Sequence, residues 1–374
     1  MGPLKGFKII EVSGIGPGPL CGMLLADLGA EVIRIDRSSS TLAIPSSHEF
    51  DITGRNKKSI CLNLKNPKSK EVFFKLIKDS DALIEGFRPG VMEKLGLGPD
   101  ECISKNKKLV YGRITGWGQS GPLSKTAGHD INYIALAGAL YSMNGSKPAI
   151  PLNLVGDYGG GSMFLAFGVC AALLSVSKTG VGQVVDAAMV DGISTLMSIF
   201  YSLSQSNLWD VDKRGENLFD GGAHFYQTYK TKDDKFISFG SLEPQFYEII
   251  KHKLNLDKSF DNQFDKKKWN EMSNGISKII ETKTQSEWNE VFKDTDACYA
   301  PVLSINETHQ NNHMIERNSF IKIKDVIQPS PSPRFSITKS EEPVIAPKVG
   351  ENNNEILKKL GYTDKEIQEL KDLN

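Results

Sequence analysis

The sequence has no excess of either charge, since 45 lysine and arginine residues balance 45 aspartate and glutamate residues. A domain that binds nucleic acid usually carries a basic excess on its binding face. We therefore expect no nucleic-acid partner. Local basic clusters remain compatible with this balance.

Cysteines are few and show no paired spacing. No Cys-x-x-Cys occurs among the five, which are Cys21, Cys61, Cys102, Cys170 and Cys298. Disulfide frameworks and structural zinc sites both depend on paired cysteines. The pattern predicts a reducing compartment and no metal site.

Long apolar runs are also missing. The most apolar stretch, residues 163–176, is shorter than the roughly 20 residues that cross a bilayer, so we expect a buried helix there. The opening MGPLKGFKIIEV lacks the apolar region and cleavage site of a secretory signal. The closing KDLN matches no targeting tripeptide. Together these features predict a cytoplasmic protein without a membrane partner.

Alternating strand and helix patterns predict an α/β fold. FKIIEV (7–12) and EVIRID (31–36) are short runs rich in strand formers, and the residues between them have apolar positions at helical spacing. Such a strand–helix–strand unit places its strands parallel in one sheet. Further strands are predicted at DALIE (81–85) and LVYGRIT (109–115).

The turn after the first strand invites comparison with a dinucleotide-binding fingerprint. Gly14 and Gly16 would be its first glycines and Asp36 its ribose-binding acid. The match fails, because Pro19 holds the third glycine position and Pro17 removes a backbone donor that a phosphate would need. The sequence therefore does not favour an NAD or FAD site.

Basic residues occur in or beside several glycine-bearing loops that follow the predicted strands. They are Arg37, Arg55, Lys57, Lys58 and Arg88. Ligands of open α/β sheets lie beyond the carboxyl ends of the strands. A basic rim there predicts a ligand with several phosphates, and Arg88 in GFRPG is its strongest candidate.

The segment from AGHDINYIALAGAL to PLNLVGDYGGG carries an ionisable group near each end, His129 and Asp157. A histidine and a carboxylate against apolar surroundings are candidates for general acid and base, because burial and neighbouring groups shift their pKa values. The alternative is structural: Asp130 and Asp157 would each cap the start of a helix. The local pattern alone leaves both interpretations open.

The chain length favours about two domains. Residues 1–204 are predicted to form a large Rossmann-like domain, and the polar, glycine-rich stretch 205–224 a linker. Residues 225–325 open with a hairpin and continue with amphipathic helices, as expected of a smaller α+β domain. The proline-rich and then helical residues 326–374 are predicted to return to the large domain.

Several motifs in this order resemble the α-methylacyl-CoA racemases, a branch of the class III CoA-transferase superfamily. They are EGFRPGVMEKLGLGP, GWGQSGP, AGHDINYIALAG, PLNLVGDYGGG, DGGAHFYQTYKT and SLEPQFYE. The resemblance covers nearly the whole chain. It implies the class III CoA-transferase fold, with two chains interlocked as a homodimer and active sites shared between them.

The resemblance also implies a set of site residues. His129 and Asp157 would be the two acid/base groups, with Glu243 orienting His129 across the subunits. CoA would contact Arg37, Cys61, Leu62, Leu64, Arg88, Gly128, Asp130 and Tyr133. CoA is then part of an acyl-CoA substrate, and no separate cofactor is expected.

The implied reaction is racemisation at C2 of 2-methylacyl-CoA thioesters by proton transfer through an enolate, stabilised by the backbone N–H of Asp130. The alternative is a class III acyl-CoA:carboxylate CoA-transferase that uses Asp157 as a nucleophile. The transferases lack the histidine of GHDINY and have a glycine-rich loop in place of SLEP. His129 and Glu243 therefore favour the racemase.

Overall fold

The computed structural model describes residues 2–38 and 47–372. The chain forms two compact units by its internal contacts. The first comprises Met1–Ala137, Leu152–Leu196 and Asn318–Asn374, and the second comprises Gly138–Pro151 and Met197–Arg317.

The first unit is built on a parallel sheet of six strands. These are β1 (Lys8–Val12), β2 (Glu31–Asp36), β3 (Lys57–Cys61), β4 (Ala82–Glu85), β5 (Val110–Thr115) and β6 (Val184–Ala188). Their spatial order is β3-β2-β1-β4-β5-β6, and every neighbouring pair is parallel. The order reverses between β1 and β4, as in Rossmann sheets. The predicted Rossmann-like α/β architecture is confirmed.

Helices lie between these strands and after the last of them. They are α1 (Pro17–Asp27), α2 (Pro67–Lys78), α3 (Val91–Lys94), α4 (Pro99–Lys105), α5 (Asp130–Leu136), a π-helix (Leu154–Met163), α6 (Phe164–Thr179) and α7 (Met189–Leu196). The Asn66 side chain caps α2 by accepting from the Lys68 N–H, and Pro67 supplies its first residue. The strands and α2 bury a continuous core that is mainly aliphatic.

The predicted basic rim is wrong for three of its five residues. Arg55 is buried and donates from Nε and Nη2 to Asp27 at 3.0 and 2.5 Å, and the Lys57 ammonium is buried against Glu11 at 2.6 Å. Lys58 pairs with acidic side chains. All three lie at the amino end of β3, opposite the edge where ligands bind, because the loop before a parallel strand lies on the other side of the sheet.

The apolar run near residue 163 is part of a longer helix than predicted. The π-helix continues into α6, so that Leu154–Thr179 is long and apolar enough to span a membrane by length and composition. Core helices of soluble proteins meet the same criterion. The predicted burial is also only partial, since Met163, Phe167 and Leu174 are 54%, 74% and 59% exposed.

The second unit is an α+β structure. It contains α8 (Ser198–Gln205), β7 (Tyr226–Lys230), β8 (Phe236–Gly240), α9 (Pro244–Leu254), α10 (Trp269–Ile280), α11 (Gln285–Phe292), β9 (Tyr299–Val302), α12 (Ile305–Thr308) and α13 (Asn312–Glu316). Its three strands form an antiparallel sheet in the order β7-β8-β9, covered by an aromatic-rich core. The hairpin predicted after residue 224 is β7–β8.

The remaining elements belong to the first unit. They are the hairpin β10 (Phe320–Ile323) and β11 (Val326–Pro329), followed by α14 (Asn353–Lys359) and α15 (Asp364–Asp372). Gln328 accepts a hydrogen bond from Arg55, and Asn353 accepts one from the Cys61 N–H. These contacts fix the C-terminal segment beside β3.

The limits of the compact units differ from the predicted domain limits. Residues 138–151 group with the second unit, where the Arg214 guanidinium lies over the Tyr141 ring. The predicted linker 205–224 also belongs there. Buried Asn217 organises it by donating to Asp210 O and accepting from the Asp210 N–H. A polar, glycine-rich stretch is therefore folded by side-chain hydrogen bonds.

His224 is a buried neutral histidine in the second unit. Tyr247 Oη donates to Phe260 O, so His224 Nε2 donates to Tyr247 Oη at 2.8 Å, and Nδ1 is left without a partner in the described chain. Burial lowers the pKa of His224 from 6.5 to about 4. Protonation would place an unpaired charge in this aromatic core.

We expect His224 to weaken the fold in mild acid. Its folded pKa lies below its unfolded pKa, so the unfolded chain binds the extra proton. The contribution of neutral His224 to the free energy of unfolding is full above pH 6.5 and is lost as the pH falls towards 4. The loss is up to about 3 kcal/mol. His224→Gln should be less stable at pH 7 but lose less stability over this range, as measured by urea denaturation at several pH values. Equal losses in both proteins would contradict the assignment.

Candidate active site

The carboxyl ends of the parallel strands bring several predicted site residues to one edge of the first unit. Arg37 follows β2, Cys61 ends β3 and Arg88 lies in the loop after β4. This edge includes the reversal of strand order between β1 and β4, where open α/β sheets leave a crevice for ligands. The topology therefore places these three residues where a ligand would be expected.

Arg37 and Arg88 differ from the buried basic residues of β3. Both are exposed, and within the described chain neither guanidinium has a hydrogen-bond partner. The Arg37 guanidinium carbon lies 5.7 Å from the centre of the Phe87 ring, a cation–π distance. The two arginines thus leave their donors available to an anion.

The segment after β3 presents mainly its backbone. The side chains of Cys61 and Leu62 are buried, and the Leu62 N–H donates to Asp36 O at 3.0 Å. Leu64 is partly exposed. A ligand at this edge could therefore contact the backbone of the segment and the Leu64 side chain.

Tyr133 shapes the loop before α5. It packs edge-on against Trp117, with ring centres 4.8 Å apart, and its hydroxyl donates to Gly128 O. Burial raises the pKa of the Tyr133 hydroxyl, and the Asp157 charge raises it further, whereas the Arg88 charge lowers it. These influences place Tyr133 within electrostatic range of both the arginine edge and the candidate acid/base site.

Asp130 joins the two segments that carry the candidate acid/base residues. It is the first residue of α5, and its Oδ1 accepts the Asp157 N–H at 2.6 Å. Gly156 permits this approach, because a Cβ at that position would overlap Asp130 Oδ1. Asp130 Oδ2 is buried and unpartnered in the described chain. The bond fixes the Asp157 backbone relative to α5.

The Asp157 carboxyl is half-buried and has a raised pKa. Burial is the largest cause, and the Asp130 charge acts in the same direction. The Asn153 side-chain amide, which donates to Asp157 Oδ2 at 3.3 Å, and the His129 charge both lower it. Asp157 is therefore within electrostatic range of His129 and can exchange a proton nearer to neutral pH than an exposed aspartate.

Asp157 lies in the π-helix, an uncommon conformation that often occurs at functional sites. Its glycines allow close packing: Gly160 lies against Ile193 of α7, and a Cβ at Gly192 would overlap Gly160 O. Gly16, in the turn after β1, also comes close, since a Cβ there would lie 3.2 Å from Asp157 Oδ2. This turn approaches the Asp157 carboxylate.

His129 immediately precedes α5 and is exposed. Its backbone N–H donates to Asn132 Oδ1 at 3.0 Å. The capping alternative fails for the two aspartates, because Asp130 lies inside the helix and bonds to another segment, while Asp157 lies inside the π-helix. Neither carboxylate is engaged as a helix cap.

Glu243 belongs to the second unit, where it precedes α9. Its side chain is exposed and makes no hydrogen bond or ion pair within the described chain.

Sequence reasoning did not identify the Asp130 carboxylate, Asn153 or Gly16 as parts of this site. The Asp130–Asp157 bond connects residues 27 positions apart, and no local pattern encodes that contact. The glycines beside Asp157 were the available signal, because they indicate close backbone approach. Among the described residues no cluster of three or more histidine, cysteine or acidic side chains could hold a metal ion.

Comparison with a solved structure identifies the fold. The crystal structure of a hypothetical protein from Mycobacterium tuberculosis is 26% identical to this chain and superimposes with a TM-score of 0.80. The match covers 95% of this chain and 99% of that one. With the family match below, it confirms the predicted class III CoA-transferase fold.

Sequence comparison gives the family. The chain is 42% identical to human alpha-methylacyl-CoA racemase and 40% identical to the mouse racemase. Each match covers 98% of this chain and 96% of the relative. The sequence profile of CoA-transferase family III matches residues 4–353 of this chain. Taken with the parallel sheet and its carboxyl edge, these matches show that the chain belongs to CoA-transferase family III.

Proposed function

We propose that this chain is an isomerase that racemises C2 of 2-methylacyl-CoA thioesters. The observation that carries the proposal is the Asp130–Asp157 bond, which holds a carboxyl with a raised pKa within electrostatic range of His129. Similarity to two racemases over nearly the whole chain supports it.

The reaction needs two proton-transferring groups on opposite faces of C2. One group takes the C2 proton and leaves an enolate, and the other, already protonated, returns a proton to the opposite face. Starting from one enantiomer Asp157 is the base and His129 the acid, and from the other the roles are exchanged. Each cycle leaves the total number of bound protons unchanged.

Negative charge develops on the thioester oxygen as the enolate forms. The Asp130 N–H is a suitable donor, because the first amides of a helix have no acceptor within it. A preorganised donor of this kind is typically worth about 3 kcal/mol of barrier. Asp130 would then serve twice, by its amide towards the substrate and by its carboxylate towards Asp157.

The CoA part of the substrate would lie along the strand edge. Exposed Arg37 and Arg88 are suited to its phosphates, and the segment 61–64 with Gly128 and Tyr133 to the pantetheine arm. The chemistry is complete with protein groups and substrate, so we propose no additional cofactor.

We also propose that the active protein is an interlocked homodimer in which Glu243 of one chain orients His129 of the other. Met163, Phe167 and Leu174 form an exposed apolar face. Exposed patches of this kind usually mark interfaces, which supports a second copy of the chain covering this face. The unpaired spacing of the cysteines supports a reducing, cytoplasmic location.

A CoA-transferase is the second candidate, because the family's description names that activity. Asp157 would then attack the thioester as a nucleophile. Incubating the protein with an acyl-CoA and a different free acid distinguishes the two: a new acyl-CoA indicates transfer, and loss of optical activity without a new thioester indicates racemisation.

We expect His129→Ala and Asp157→Asn each to lower the rate of racemisation by roughly 10²–10⁴-fold, because inversion needs both groups. Each variant should still exchange the C2 proton of the one enantiomer that faces its remaining base. Deuterium incorporation into separate (R)- and (S)-2-methylacyl-CoA in D2O, followed by mass spectrometry and chiral analysis, measures both properties.

His313→Ala is the control for this experiment, since it removes an exposed histidine of α13. It should retain wild-type exchange with both enantiomers. Absence of exchange and of racemisation in the folded wild-type protein would refute the proposed reaction.

Asp130→Asn should lower the pKa of Asp157, because it removes a negative neighbour while an amide oxygen can still accept the Asp157 N–H. The acid limb of kcat/KM, for the enantiomer on which Asp157 is the base, should therefore shift to lower pH. Asp130→Ala also removes the acceptor and should reduce activity at every pH. An unshifted acid limb in Asp130→Asn would show that the Asp130 charge does not act on Asp157.

Phe167→Glu should prevent dimer formation, because it places a charge in the exposed apolar face of α6. An interlocked dimer has no stable monomer, so we expect reduced folded protein and a smaller sedimentation coefficient. Lys178→Ala, an exposed change on the same helix, is the control. An intact wild-type assembly in Phe167→Glu would place the interface elsewhere.

A further inference from the structure

Arg113 is a buried arginine on β5 that neither the sequence motifs nor the proposed chemistry uses. It lies at the carboxyl half of its strand and is 6% exposed. Its guanidinium pairs with two acidic side chains, one before and one after the loop that contains Arg88. Such a group is costly to bury unless its charge is compensated, so its contacts indicate what it stabilises.

The first partner is Glu85, the last residue of β4 and the register partner of Arg113 in the sheet. Arg113 Nε donates to Glu85 Oε1 at 2.8 Å. The other carboxylate oxygen, Oε2, accepts the Phe87 N–H at 2.7 Å. Arg113 therefore fixes a carboxylate that in turn holds the start of the loop 86–90.

The second partner is Glu93 of α3, which follows the same loop. Arg113 Nη1 and Nη2 donate to Glu93 Oε1 and Oε2 at 2.7 and 3.3 Å. The Arg113 hydrogen bond lowers the pKa of Glu93. Since α3 has only four residues, its own backbone bonds hold it weakly, and the guanidinium attaches it to the sheet.

Both ends of the loop 86–90 are thus tied to one side chain. Arg88 lies between the two ties, and its backbone carbonyl accepts the Val91 N–H at 3.1 Å. Phe87, held by Glu85, supports the Arg37 guanidinium from the ring face. The same clamp therefore acts on the two arginines suited to the CoA phosphates.

We propose that Arg113 is a positioning residue for nucleotide recognition: it clamps the loop 86–90 between Glu85 and Glu93 and so places Arg88 and Arg37 against the phosphates of CoA. The inference rests on the proposed function in one respect, that CoA binds at this edge. Arg113 is buried beneath the loop and acts through Glu85, Phe87 and Glu93.

Arginine suits this role because its planar fork can serve two carboxylates at once. Lysine keeps the charge but offers a single nitrogen at the end of a flexible chain. Arg113→Lys should therefore preserve the fold better than an apolar replacement, while releasing one end of the loop. Loss of this attachment of the loop should weaken recognition of the phosphates and leave the chemistry at C2 unchanged.

The test compares two substrates, a 2-methylacyl-CoA and the matching pantetheine thioester, which lacks the nucleotide and its phosphates. Arg113→Lys should raise the KM for the CoA thioester roughly tenfold, with kcat within about twofold. Its kcat/KM for the pantetheine thioester should equal that of the wild type. Calorimetric titration with CoA should show the same tenfold weakening. Glu93→Gln should act in the same direction with a smaller effect.

Arg55→Lys is the matched control. Arg55 is also buried and lies just before β3 of the same sheet, and its side-chain hydrogen bonds go to Asp27, Gln328 and Pro329. Its replacement should lower the melting temperature and leave the affinity for CoA within about twofold. Equal loss with both thioesters in Arg113→Lys, or unchanged CoA affinity, would overturn the inference.

The outcomes separate this inference from the proposed function. CoA binding that weakens in Arg113→Lys, in a protein that racemises no thioester, would support the clamp and refute the racemase. Racemisation with unchanged CoA affinity in Arg113→Lys would refute the clamp alone. Absence of CoA binding by the wild-type protein would overturn both.

Discussion

The hydrogen bond from the Asp157 N–H to the Asp130 carboxylate connects the start of α5 with the π-helix, and the candidate site depends on it. It holds the Asp157 backbone against the start of α5, which His129 precedes, and it places the buried Asp130 carboxylate beside the segment that carries the reacting carboxyl. The Asp130 charge contributes to the raised pKa of Asp157. Burial is the larger cause of that raised pKa, and Asp130 adds to it while also holding the Asp157 backbone. Gly156 is needed because any side chain there would displace the contact.

The same residue types serve opposite purposes at the two edges of the sheet. At the amino end of β3, Arg55 and Lys57 are buried and paired with Asp27 and Glu11. Their charges are therefore neutralised within the protein. At the carboxyl edge, Arg37 and Arg88 remain exposed and unpaired within the described chain. Arg113 combines the two situations, since its charge is buried but its partners hold a loop at the ligand edge.

Local pattern was sufficient for β1, β2, β4 and β5 and for their parallel arrangement, because apolar runs separated by a helix leave few arrangements. It did not identify β3. Pro17 and Pro19 also made a dinucleotide fingerprint an unfavoured interpretation. For residues 205–224 polar composition predicted a linker, and it did not reveal that Asn217 organises this segment by side-chain hydrogen bonds. Local pattern failed for Arg55, Lys57 and Lys58, since position along the chain does not reveal which edge of the sheet a residue will reach.

The sequence by itself determined the α/β architecture, and its ordered motifs gave the family and the candidate pair His129 and Asp157. Periodicity and motif order are local properties that a single chain displays directly. Only the tertiary structure decided that Asp130 holds Asp157, that three basic residues are internal, and that Arg113 ties down the loop carrying Arg88. Each of these depends on contacts between distant segments, and such contacts exist only once the sheet has brought those segments together.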